Sequence, residues 1–219
     1  MKLLLLIIFS SFQCLAQEPS GAIELPEHNI LYRGYPNKVI PAATNNLNRE
    51  VILFGSPNVT IIKQPDSETY IVKPGKGKVA SLYIGLVNGD STDTIRTVRY
   101  RVVNLPDPTL YWSGIKDGAK ANIRSKKLFA KYPPSIPLNA TFNILDWEIL
   151  HNGERTHGKG SNLSSAEDLF KEIKEETEIL ITTTVVGPDG VQRKITGVWK
   201  VKPWGETEEP RVMIIQCSG

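Results

Sequence analysis

Two cysteines in 219 residues rule out a disulfide framework. One of them, Cys14, sits in a leader expected to be removed, and the survivor, Cys217, cannot close an internal bridge. Packed cores must therefore hold the fold. Histidine is almost as scarce: His28, His151 and His157 are the full set. None shares a metal-ligand spacing with another histidine or a cysteine. A nucleophile elbow, a phosphate-cradling glycine loop and paired catalytic carboxylates are all missing. The chain therefore reads as non-catalytic, with no metal and no cofactor. One-sided charge is lacking too. A formal net charge of +3 carries no mandate for nucleic-acid or membrane binding.

Long apolar runs are also few. Leu3 to Phe9 follows Met1-Lys2 and is too short to span a bilayer. With the small residues of Cys14-Leu15-Ala16 it reads as a secretory signal peptide, residues 1–16, cut after Ala16. The rival, a lipoprotein anchored through Cys14, is disfavoured by Gln13, where a small residue is usual. The expected location is periplasmic or surface-exposed, with no transmembrane segment in the mature chain.

What the chain does have is alternation. In Arg96 to Val103, Val98, Tyr100 and Val102 point one way and Thr97, Arg99 and Arg101 the other, the period of a half-buried strand. Leu105-Pro106-Asp107-Pro108 cannot continue a central strand, since proline lacks the N–H and extends the residue before it. The stretch therefore reads as the last strand of one domain running into a short, stiff, protease-sensitive linker. The expected organisation is a first β-sandwich over 17–105, a second over 106–204, and a tail over 205–219.

In the first domain, short apolar runs alternate with turn chemistry: 29–32, 50–54, 59–62, 69–72, 79–87 and 94–103. Gly34-Tyr35-Pro36-Asn37 reads as a turn and Asn88-Gly89-Asp90 as a hairpin tip. Regularly spaced strands without helical period predict an immunoglobulin-like sandwich.

The second domain predicts an α+β sandwich. A change of parity between Ile144 and Trp147 implies a bulge, and Asn152-Gly153 a two-residue hairpin turn. Ser164-Ser165-Ala166-Glu167 has the form of a capping box. It would open a helix near 165–175 with the apolar stripe Ala166, Leu169, Phe170 and Ile173. Strands over 178–186 and 191–201 flank the Gly187-Pro188-Asp189-Gly190 turn.

Three stretches carry a family resemblance: Leu31-Tyr32-Arg33-Gly34-Tyr35-Pro36-Asn37, Val103-Asn104-Leu105-Pro106-Asp107-Pro108, and Val186-Gly187-Pro188-Asp189-Gly190 with Arg193. In order and spacing they resemble the last two periplasmic domains of the gliding-motility protein GldM (PorM) family, a type IX secretion component. The resemblance implies a dimeric arm of stacked domains working with envelope partners. It covers the distal arm domains only. With a cleaved leader where the family has a transmembrane helix, a motor role is not expected.

Candidate partner-binding residues follow. Tyr32, Arg33 and Tyr35 form one possible recognition patch, or else fill the end of a sandwich. Lys116, Lys120, Arg124, Lys126, Lys127 and Lys131 make a basic stretch facing only Asp117, and Glu172, Glu175 and Glu176 belong to an acidic one. The two either pair with each other or steer a partner. The leading functional reading is an exported protein-binding module engaging cell-envelope proteins, such as secretion or gliding machinery. The alternative is a homodimeric rod segment. Arg211 to Cys217 is apolar again and is expected to add a strand, either to its own second domain or to a neighbouring subunit. In the latter case Cys217 is a candidate intermolecular thiol.

Overall fold

The computed structural model describes residues 28–46 and 48–204. The expected signal peptide over 1–16, with Cys14, and the tail over 205–219, with Cys217, lie outside the described residues. The chain divides into two compact units, Met1–Val103 and Asn104–Gly219. Among the described residues no helix is long and apolar enough to cross a membrane.

The first unit has seven strands: β1 (Ile30–Tyr32), β2 (Asn37–Val39), β3 (Val51–Gly55), β4 (Val59–Lys63), β5 (Tyr70–Pro74), β6 (Val79–Asn88) and β7 (Ser91–Val103). One sheet has the order β1-β7-β6-β3, the other β2-β5-β4. Only β1 on β7 is parallel. Leu31, Leu53, Leu82, Ile84 and Val102 of the first sheet meet Tyr70 and Val72 of the second in one core. This is an immunoglobulin-like sandwich, with its first strand moved beside the last. The alternation holds in β7: Val98 and Val102 are buried, and Thr97, Arg99 and Arg101 are exposed. Asn88 pairs with Ser91 across Gly89-Asp90, with Gly89 at φ 57°.

Strand β2 corrects the sequence reading, which ended its turn at Asn37. Asn37 is buried and bonded four ways. Its Oδ1 accepts from the Tyr32 N–H at 2.9 Å, and its Nδ2 donates to the carbonyls of Tyr32, Tyr35 and Val72 at 2.9–3.0 Å. The side chain thus closes the turn and fastens it to β5. A buried amide that meets its hydrogen-bonding capacity costs little to bury.

The second unit has β8 (Thr109–Trp112), β9 (Ile115–Lys116), β10 (Lys120–Ala121), β11 (Leu128–Lys131), β12 (Asn143–His151), β13 (Glu154–Lys159), helix α1 (Glu167–Glu172), β14 (Thr177–Val186) and β15 (Gln192–Val201). The sheets run β10-β15-β14-β12-β13 and β11-β8-β9. Trp112, Trp147 and Trp199 are buried, and each indole N–H donates to a backbone carbonyl, of Ser125, Asn162 and Ile115 respectively. Trp112 bridges the sheets, edge-on to Trp199 at 5.9 Å and stacked on Phe170 of α1 at 5.5 Å. The bulge falls between Ile144 and Asp146, leaving Leu145 exposed. Asn152 and Gly153, at φ 48° and 84°, make the tight turn of the β12–β13 hairpin.

The helix is shorter than predicted and its capping box does not form. A 3-10 turn spans Ser164–Ala166, and α1 has six residues. Asn162 Oδ1 accepts from both the N–H and the hydroxyl of Ser164, while Glu167 turns to Lys126 and Lys171. An Asx turn has displaced the reciprocal cap. The apolar stripe persists, with Ala166, Phe170 and Ile173 buried.

The proposed linker is also corrected. Leu105 is buried, β8 begins at Thr109, and Tyr111 and Trp112 lie in the core, so 105–112 is part of the second unit.

Candidate interaction surfaces

The segment 105–108 is held by a buried ion pair. Arg193 donates two hydrogen bonds to Asp189, one of them 3.0 Å from Nη1 to Oδ1, and others to the carbonyls of Leu105 (2.6 Å) and Val191 (2.8 Å). Its Nε lies 3.0 Å from Asp107, and its guanidinium sits over the Phe142 ring at 5.7 Å. Asp189 also accepts the Leu105 N–H at 2.9 Å. Tyr132 donates its hydroxyl to the Pro106 carbonyl at 2.8 Å. Burial opposes ionisation of Asp189, but Arg193 and the Leu105 and Val191 amides outweigh it and hold the carboxyl below its ordinary value. The hydrogen bond to Asp189 raises the Arg193 pKa, against the opposing effect of burial. This knot joins two of the three stretches that carry the family resemblance. Asn37 is the anchor of the third. Those motifs build the fold.

Tyr32 and Tyr35 stand edge to face at 6.4 Å, both half-buried. Arg33 donates to the Gly77 carbonyl at 2.7 Å. The three surround the turn clamped by Asn37 rather than standing free as a patch.

The charged stretches pair within their own unit. Lys120 meets Glu176 at 2.9 Å and Lys126 meets Glu167 at 3.1 Å. The Lys120 hydrogen bond depresses the Glu176 pKa, and those from Lys171 and then Lys126 depress that of Glu167. Arg124 donates to the Trp204 carbonyl at 3.0 Å. Lys131 lies over the Tyr111 ring at 4.7 Å. Lys127, Glu172 and Glu175 are exposed. His157 is exposed and 3.6 Å from Glu148, which also binds Arg155. Among the described residues no cluster of three His, Cys, Asp or Glu has the form of a metal site.

Two solvent-facing sheets remain. In the second unit, Glu148, His157, Thr182, Thr184 and Lys194 line a shallow concavity of about 470 Å³, and Thr182 and Thr196 share a hydroxyl hydrogen bond of 3.0 Å. In the first, register sets Phe54, Tyr83 and Thr97 in one outward row, with Ser81 and Arg99 in the next and Val79 and Arg101 beyond. The Phe54 and Tyr83 rings stack at 5.1 Å. Phe54 folds over Gly85, where an added Cβ would come within 2.9 Å of the ring and 2.5 Å of Thr92. Val79 is 42% exposed. The sequence reading missed this patch, although the outward parity of Arg99 and Arg101 pointed to the same face.

No family model matches the chain, and no curated protein matches it. Among solved structures, the N-terminal four Ig domains of Dscam1 isoform 6.44 are similar over 84% of this chain and 51% of theirs, at 10% identity and a TM-score of 0.28. The tandem Ig repeats of Dlar are similar over 84% of this chain and 97% of theirs, at 12% identity and a TM-score of 0.24. The chain thus spans about half the length of the Dscam1 fragment. Scores this low carry no argument. The immunoglobulin-like layout rests on strand order and on the cores between the sheets.

Proposed function

We propose that the chain is an exported, non-catalytic protein-binding module that engages a cell-envelope partner through the outer face of the β1-β7-β6-β3 sheet. The observation that carries this reading is the half-exposed Phe54–Tyr83 stack, flanked by Val79 and the exposed guanidinium of Arg99. Aromatic and arginine side chains together are the usual anchors of protein interfaces. The GldM-like part of the reading, a partner in gliding or type IX secretion, is supported by two of its motif stretches meeting at the Arg193 knot.

The test compares the mature chain with Phe54→Ser/Tyr83→Ser and Arg99→Glu variants in pull-downs from envelope fractions. Loss of one specific band at least tenfold, with folding unchanged, supports the reading. Equal capture by all forms overturns it. Light scattering addresses the alternative: a mature chain with the mass of a dimer favours the rod segment.

A further inference from the structure

One turn of the first unit has its carbonyls tied down and its amides left open. Residues 75–78 link β5 to β6 and read Gly75-Lys76-Gly77-Lys78. Asn58 Nδ2 donates to the carbonyls of Lys76 (3.2 Å) and Val79 (3.0 Å), while its Oδ1 accepts from the Ser56 hydroxyl. Arg33 donates to the Gly77 carbonyl at 2.7 Å. In a trans peptide the carbonyl of one residue and the N–H of the next point opposite ways. Holding the Lys76 and Gly77 carbonyls toward the protein therefore turns the N–H groups of Gly77 and Lys78 away from it. Among the described residues neither N–H has a hydrogen-bond partner. Gly77, at φ 116°, puts no side chain between them. Lys76 and Lys78 are exposed on either side, and the Arg33 Nε is buried without a partner among the described residues.

The surroundings carry one sign of charge. The turns at 33–36, 56–58 and 75–78 lie at the same end of the sandwich, joined by the Arg33 bond and by the Gly75 N–H to the Asn58 carbonyl at 2.8 Å. Lys73, exposed near the end of β5, adds to that end. The described acidic residues of the first unit are Glu50, Asp66, Glu68, Asp90 and Asp93. Strand direction puts them at the opposite end, before β3, in the β4–β5 turn and around the β6–β7 tip. There Lys63 and Arg49 already pair with Glu50 and Asp93. We propose that the 75–78 turn is an anion site that takes a phosphate group carried on a larger molecule. Successive outward N–H groups in a turn make an anion-binding concavity, and lysine serves phosphate as a point charge. A tetrahedral phosphate sets separate oxygens against the amide pair and each ammonium, where a planar carboxylate has only two.

Titrating the mature chain with tripolyphosphate, followed by amide NMR at physiological salt, tests this. The Gly77 and Lys78 amide signals are expected to shift, and that of Gly89, in a turn without lysines, to stay. Lys76→Gln/Lys78→Gln should weaken the affinity about tenfold, while Lys116→Gln/Lys127→Gln, the same loss of charge in the second unit, leaves it unchanged. Asn58→Ala keeps every charge and frees the Lys76 carbonyl, and should also weaken binding. If it unfolds the first unit, the two lysine pairs decide. Sedimentation with vesicles of equal parts phosphatidylcholine and phosphatidylglycerol separates the sources. Capture that depends on Lys76 and Lys78 assigns the phosphate to a lipid headgroup, and tripolyphosphate binding without capture assigns it to a soluble or glycan-borne ester. Still signals at Gly77 and Lys78, or equal weakening by both lysine pairs, overturn the proposal. So does equal or tighter binding of poly-glutamate, which assigns the turn to acidic protein segments.

Discussion

The two units share a strand plan and differ in what fills it. In both, a short early strand lies parallel on the last, the last two strands form a long antiparallel hairpin, and an earlier strand follows: β1-β7-β6-β3 and β10-β15-β14-β12. The first unit packs mainly aliphatic side chains, with Tyr70 among them, and buries the amide of Asn37. The second packs three tryptophans and buries an ion pair. The plan therefore does not dictate the core. Hydrophobic surface of the right volume suffices for it, and the polar fastenings are particular to each unit. Beyond β12 the second unit adds β13, whereas β3 stays at the edge of its sheet.

The largest effects should come from the fastenings with the least freedom. Trp199→Ala removes a ring that is fully buried and spans toward Trp112, and should cost about 3–5 kcal/mol. Denaturant unfolding should show the loss, with increased exchange confined to peptides of the second unit. Equal loosening of the first unit would mean the cores are not separate. Asp189→Asn leaves Arg193 buried with only the exposed Asp107 as a charged partner, and should cost about 3 kcal/mol. The same pair predicts a pH dependence. The folded carboxyl has a lowered pKa. Its stabilisation is therefore complete above the ordinary value of about 3.9 and is lost as pH falls through the folded value. Acid titration should destabilise the second unit more than its Asp189→Asn variant, and parallel curves would refute the assignment.

Smaller effects sharpen the contrast. Gly158 faces Trp147 so closely that an added Cβ would lie 2.1 Å from the ring, and Gly158→Ala should cost about 1–3 kcal/mol in thermal unfolding. Asn37→Ala in the first unit strands the Tyr32 N–H and three carbonyls and should also cost about 1–3 kcal/mol, with exchange rising at Tyr32. Lys120→Ala should leave the melting midpoint where it is, because the Lys120–Glu176 pair is solvated.

Local patterns were legible in the sequence and long-range fastenings were not. The Asn152-Gly153 and Gly187–Gly190 turns, the bulge near Leu145 and the inward parity of β7 depend on neighbours within a few residues, and all were read correctly. Asn37 looked like a turn residue because its fourth partner is Val72. Leu105-Pro106-Asp107-Pro108 looked like a linker because proline announces the end of a strand. It does not announce that Arg193 and Asp189, more than 80 residues on, will claim the adjoining backbone. The charged stretches were visible, but only coordinates could pair Lys126 with Glu167 and Lys120 with Glu176. The Phe54–Tyr83 stack brings together residues from two strands that no local period connects.

The Arg193 knot also sets an order of events during synthesis. Leu105 is made early in the second unit, yet its N–H and carbonyl find their partners 84 and 88 residues later. Strand β10 likewise waits for β15. The second unit cannot close until almost all of its chain has been delivered, and closing so long a loop slows folding. The first unit holds all its strands by Val103 and can be complete while the second is still being made. A nascent chain halted anywhere between Val103 and Asp189 would display a finished sandwich followed by a segment whose buried positions are still open to water.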